Sequence, residues 1–165
     1  MCVFDAEPVH AAAFNVVVGG DDGSGFHNNE TTIPLPLGDD VRVSAWIDLT
    51  VTATRHDQSN SKPIEGEISY WITTHSSSEQ QLASGTIYNI TMDQRVKDFH
   101  LGKIHIPAAK LWWPHTHGGQ PLYVAKVKFR SSNHHESCAS TTFGIRTVSS
   151  ETGAASKSFT LKING

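Results

Sequence analysis

Glu65 and Glu67 stand two residues apart in a segment that reads as extended, so their carboxylates share one face. Carboxyls about 5–5.5 Å apart can divide nucleophilic and acid/base work on an acetal between them. A general acid must also stay protonated, which takes a desolvated site. Gly66 lies between the two glutamates and no aromatic cluster flanks them, so they read as exposed strand carboxylates. Asp21-Asp22 and Asp39-Asp40 read as turn residues. Ten histidines raise the question of a metal. His115 and His117 are two apart in a loop, and His134-His135 form a second pair. Zinc asks for three or four converging ligands at recognisable spacings, and no such spacing occurs, while His100 and His105 fall on solvent-facing strand positions. Gly-x-Ser-x-Gly, Walker and dinucleotide signatures do not occur either. The expectation is a chain with no catalytic group, metal or cofactor of its own, in which His115 and His117 could touch a partner domain.

The elements that carry these side chains are strands. Val41–Ala53 places an apolar residue at every second position, the period of a half-buried strand. Similar runs follow at Ile68-Tyr70-Ile72, Thr86-Tyr88-Ile90-Met92, Phe99-Leu101, Ile104-Ile106, Tyr123-Ala125-Val127-Phe129, Phe143-Ile145-Thr147 and Phe159-Leu161-Ile163. Clusters of Gly, Pro, Asn, Asp and Ser punctuate them at Gly19–Gly23, Gly38–Asp40, Asp57–Pro63, Ser76–Ser78, Gly118-Gly119, Ser131–Glu136 and Ser149–Lys157. About seven to nine short antiparallel strands at spacings of about ten residues, with no amphipathic helix between them, predict an all-β sandwich. Val9–Val18 reads as an entering strand and Gly19–Leu37 as a long loop.

A length of 165 residues suits one domain, large enough to keep a core without staples. The net charge of −3 gives no electrostatic footprint for nucleic acid or an anionic membrane surface. No stretch approaches the roughly 20 apolar residues that span a bilayer, and the apolar run Ala11–Val18 lacks the flanks of a signal peptide. Cys2 and Cys138 show neither metal nor redox spacing and read as incidental. Two sequons, Asn29-Glu30-Thr31 and Asn89-Ile90-Thr91, suit a secreted or lysosomal and vacuolar protein.

The densest information lies in Ala109–Tyr123. Adjacent tryptophans in an extended segment point to opposite faces, so at most one of Trp112 and Trp113 enters a core and the other needs a second partner. Pro114 stops the ladder, Gly118-Gly119 turns the chain, and Pro121 restarts an extended run. Leu111-Trp112-Trp113-Pro114, a short glycine-bearing loop and Gln120-Pro121-Leu122-Tyr123 resemble the signature of the immunoglobulin-like domain of glycoside hydrolase family 2. Phe143-Gly144-Ile145-Arg146-Thr147-Val148 and Phe159–Gly165 continue the resemblance in register. It covers roughly Ile104 to Gly165 and is nearest to β-mannosidases and exo-β-glucosaminidases, with the long Ser149–Lys157 insertion looking more like the glucosaminidase branch.

The resemblance implies an immunoglobulin-like β-sandwich over residues 41–165, preceded by residues 1–40 and ending where the family's chain enters a catalytic barrel. It implies an accessory role. The domain would hold a sugar-binding jelly roll and a barrel with two catalytic glutamates in a fixed relation, within a parent that hydrolyses terminal β-mannosides or β-glucosaminides. Trp112, Trp113, Pro114, His115, His117 and Arg146 would then serve interdomain contact. The rival expectation is a free-standing carbohydrate-binding or adhesion module that stacks sugars on exposed tryptophans.

Overall fold

The structure, a computed structural model, describes residues 9–19, 42–55, 62–152 and 159–164. Cys2, Asn29, the loop after Gly19 and the turns at Asp21-Asp22, Asp39-Asp40 and residues 57–61 lie outside these residues.

Nine strands are described: β1 Val9–Gly19, β2 Arg42–Arg55, β3 Ile64–Thr74, β4 Gln81–Met92, β5 Val96–Lys110, β6 Tyr123–Ser131, β7 Glu136–Phe143, β8 Val148–Thr152 and β9 Phe159–Ile163. β1-β2-β5 form one antiparallel sheet and β4-β3-β6-β7 another, while β8 and β9 make a separate two-stranded ribbon. The chain changes sheet between β2 and β3, between β4 and β5, and again between β5 and β6. This three-on-four order is immunoglobulin-like.

The core follows from the period-two pattern. On β2, Ala45, Ile47, Leu49, Val51 and Ala53 are at most 2% exposed. They meet Ile68, Ile72, Ala125, Val127 and Phe129 of the facing sheet in one cluster. Burying each large aliphatic there contributes about 1.5–3 kcal/mol. The intervening β2 residues face outward and pair across the strands: Trp46 packs its ring on His105 at 4.7 Å, and Thr50 and Ser44 bond His100 and His105 at 2.9 and 2.7 Å. These histidines are sheet-surface groups.

Four features depart from the sequence reading. Phe99-Leu101 and Ile104-Ile106 are one strand, interrupted by a bulge where Gly102 takes φ +84° and the register slips opposite Leu49 and Thr50. The bulge changes the phase, so Leu101 and Ile104 both point inward although three residues apart. β7 is a polar strand, Glu-Ser-Cys-Ala-Ser-Thr-Thr-Phe, held by its pairing with β6 rather than by alternation. The expected Phe143-Ile145-Thr147 strand instead leaves the sheet after Phe143, and Val148–Thr152, which runs into the expected Ser149–Lys157 turn, is β8. Cys138, expected to be incidental, is disulfide-bonded. One other cysteine, Cys2, is present in the sequence, and two cysteines near opposite ends of a chain leave no spacing signal.

Tyr123 anchors the crossing from β5 to β6. Its hydroxyl accepts the Lys110 N–H at 2.7 Å and donates to the Lys110 carbonyl at 3.1 Å. Tyr123→Phe is expected to cost about 1–3 kcal/mol by leaving buried backbone groups unpaired. Burial pushes the phenol above its ordinary value of 10.0. The folded state therefore holds this proton more tightly than the unfolded chain does, and the contribution is complete below about pH 10 and lost as pH rises beyond it. Unfolding midpoints taken from about pH 8 to 11 should fall less steeply in the Phe variant.

Candidate functional site

The end of β5, the segment after β7 and the residue after β9 converge on one corner of the sandwich. Leu111 is 6% exposed and keeps the strand's inward phase, and Trp113, at 8%, continues it into the core. The Trp113 N–H donates to Gly119 O at 2.9 Å, and His117 N–H donates to Pro114 O at 2.8 Å, closing the exposed turn of His115, Thr116 and His117. Gly118 lies against the Trp113 ring, where a Cβ would sit 3.1 Å from Cγ. The loop is thus folded tightly over Trp113.

Trp112 faces the other way. It is half-buried, and its N–H donates to the carbonyl of Ile145 at 2.8 Å. Gly144 lets the two segments approach, since a Cβ there would fall 3.0 Å from Trp112 Cβ and Cγ. The Arg146 guanidinium lies over the Trp112 ring, 4.7 Å from its centroid. Ile145, between them, is fully buried. Trp112, Gly144 and Arg146 line an open cavity of about 240 Å³.

Asn164 ties this corner to the ribbon. Its Nδ2 donates to Trp112 O at 3.0 Å, its Oδ1 accepts from Thr147 N–H at 3.0 Å, and its own N–H donates to Thr147 O at 3.0 Å. It is 6% exposed and has φ +62°, a left-handed conformation that asparagine tolerates better than most residues. Beside it, the opposed pairs Val148 with Ile163, Ser150 with Leu161 and Thr152 with Phe159 share one face of the β8–β9 ribbon, whose apolar residues lie mostly on β9. Val148, Leu161 and Phe159 are 55%, 56% and 66% exposed. Sequence reasoning found the alternation of Phe159-Leu161-Ile163, but alternation cannot say whether the apolar face meets this domain's core or another surface.

Other candidates stay apart. Glu65 is exposed and gives its carbonyl to Ser132 N–H at 2.8 Å, whereas Glu67 is half-buried beside a different recess with Tyr88 and Arg130. The expected two-sided arrangement of the tryptophans is present: Trp113 is in the core, Trp112 lies under Arg146, and Trp46 and Trp71 are half-buried. Among the described residues, no three His, Cys, Asp or Glu side chains group as a metal site.

Because the Arg146 side chain is exposed, its stack on Trp112 contributes about 0.5–1 kcal/mol. Arg146→Ala is expected to lower the urea unfolding free energy of this chain by that small amount while shifting the tryptophan emission, since Trp112 gains solvent.

Residues 36–146 match the family model described as Glycosyl hydrolases family 2. An exo-β-D-glucosaminidase of Hypocrea virens is 47% identical over 45 residues, which is 27% of this chain and 5% of that protein. The exo-chitosanase of Amycolatopsis orientalis aligns with a TM-score of 0.60 at 13% identity, covering 96% of this chain and 15% of its own. A β-glucuronidase of Parabacteroides merdae aligns with a TM-score of 0.58 at 13% identity over 93% of this chain and 16% of its own. The chain therefore spans a small part of each protein it resembles.

Proposed function

This chain belongs to glycosyl hydrolase family 2, and from that premise we propose that it is the non-catalytic sandwich of a multidomain enzyme, holding a sugar-binding jelly roll and a catalytic barrel in a fixed relation. The observation that carries the reading is the corner where Trp112, Arg146 and Asn164 meet beside an exposed apolar ribbon. Such a surface suits a neighbouring domain. Arg146 offers a planar donor fork for carboxylates or carbonyls, and in this reading Pro114, His115 and His117 serve the same interdomain contact. Trp113 contributes from within, by fixing the loop.

The parent activity in this reading is hydrolysis of terminal β-D-glucosaminides with retention. The similarity to an exo-β-D-glucosaminidase supports that choice over a β-mannoside. Two measurements test it. The purified chain should turn over neither aryl β-glucosaminide nor aryl β-mannoside, and turnover abolished by Glu65→Gln or Glu67→Gln would overturn the accessory role. Reading the transcript on both sides of this sequence should reveal a continuous frame encoding a barrel. In that longer enzyme, Arg146→Ala should cost about 1–3 kcal/mol, more than in the chain alone, because an interdomain acceptor is left unpaired.

A further inference from the structure

β4 is an edge strand of the four-stranded sheet, and none of its twelve residues from Gln81 to Met92 is charged or proline. Exposed edges present unpaired backbone groups to other chains, and proteins usually blunt them with charge, proline, bulges or a cover. The opposite edge, β7, begins with Glu136 and has β1 beside it, as β4 has β5 of the other sheet. β4 has bulges instead. At one of them the pairing passes from Ile90↔Gly66 to Ile87↔Ile68, so Tyr88 and Asn89 together oppose Glu67.

Asn89 sits at this bulge with φ +56°, and it is exposed. The backbone there favours glycine or asparagine, which accounts for residue 89. It does not account for residue 91. Ile90 and Met92 are buried at 8% and 0%, and Thr91 lies between them, half-buried, completing Asn-Ile-Thr. Tyr88, 66% exposed, lines with Asn89, Glu67 and Arg130 an open recess of about 300 Å³. A sugar joined to Asn89 has both room and an aromatic neighbour. The disulfide at Cys138 belongs to an oxidising compartment, where asparagine-linked glycans are added to such sequons.

We propose that Asn89 carries an N-linked glycan and that this glycan shields the β4 edge. The donor is a polyprenyl-diphosphate oligosaccharide. The Asn89 amide nitrogen forms a bond to the anomeric carbon of the first sugar, the carbon–oxygen bond to the diphosphate breaks, the polyprenyl diphosphate leaves, and the amide loses one proton.

The test is to secrete this chain from yeast alongside a reporter that becomes fully glycosylated, then reduce it, digest it with trypsin and weigh the peptides. Trypsin does not cut Lys62-Pro63, so the peptide of residues 56–95 isolates Asn89 from Asn29, which lies in the peptide ending at Arg42. Expected is a hexose-bearing mass on peptide 56–95, removed by peptide-N-glycosidase with conversion of Asn89 to aspartate. Thr91→Ala should abolish it and Thr91→Ser retain it. The Thr91→Ala chain, which loses the Asn89 glycan without gaining a charge and keeps the Asn29 sequon, should also aggregate several-fold faster than the glycosylated parent and the Thr91→Ser chain. Recovery of peptide 56–95 unmodified, beside a glycosylated reporter, overturns the site. A glycosylated peptide with no difference in aggregation between the parent and Thr91→Ala chains overturns the covering role.

Discussion

Trp113→Ala is expected to lower the unfolding free energy of this chain by about 3–5 kcal/mol, and Trp112→Ala by about 1 kcal/mol. The asymmetry follows from where the two rings lie. Trp113 is a core residue whose removal leaves a cavity beneath Gly118, whose backbone is already turned over it. Trp112 has Gly144 on one side and the fork of an exposed arginine on another, so solvent can take its place. Urea unfolding followed by far-ultraviolet circular dichroism measures both. Equal, small losses would show that the loop from Leu111 to Gly119 does not pack as described.

The second large effect is expected at Asn164. Asn164→Ala removes the donor to Trp112 O and the acceptor for Thr147 N–H, and it forces a Cβ-bearing residue without a compensating side chain to hold φ +62°. Unsatisfied buried groups cost about 1–3 kcal/mol each, so the total should reach about 2–4 kcal/mol. Three substitutions separate the causes. Asn164→Gly restores the backbone freedom and leaves the lost bonds; Asn164→Asp keeps the acceptor for Thr147 and loses the donor. If Gly were as stable as the parent chain, the side-chain bonds would be contributing nothing and the left-handed conformation alone would explain the asparagine.

The sandwich was legible in the sequence because β2 and β6 bury one face each, and a half-buried strand writes its geometry in alternate residues. β7 was not, since a strand can be held by pairing alone when its neighbour supplies the apolar contact. The Gly102 bulge was hidden for a related reason: it shifts the phase, so one long strand reads as two short ones. At the corner, the opposed tryptophans and Arg146 could be singled out from spacing and resemblance. Asn164 could not be assigned its role. Its partners, the carbonyl of Trp112 and the backbone of Thr147, belong to distant segments, and hydrogen bonds between backbone and a remote side chain leave no pattern in sequence. The disulfide of Cys138 was silent for the same lack of local signal.

The β8–β9 ribbon has a consequence for when parts of the domain open. Two strands alone are marginal in water, and this pair has an apolar face turned to solvent. Its backbone amides should exchange with solvent deuterium through a local opening that leaves the sandwich intact, whereas those of β2, which has a paired strand on either side, should wait for global unfolding. The domain thus has two clocks. The fast one runs in the ribbon, next to the corner that a neighbouring domain would cover, and such a neighbour would slow it by making ribbon opening break the interface as well. Docking would then be visible as protection of β8 and β9 with β2 unchanged, so that the small ribbon reports on assembly while the large sheets report on the fold.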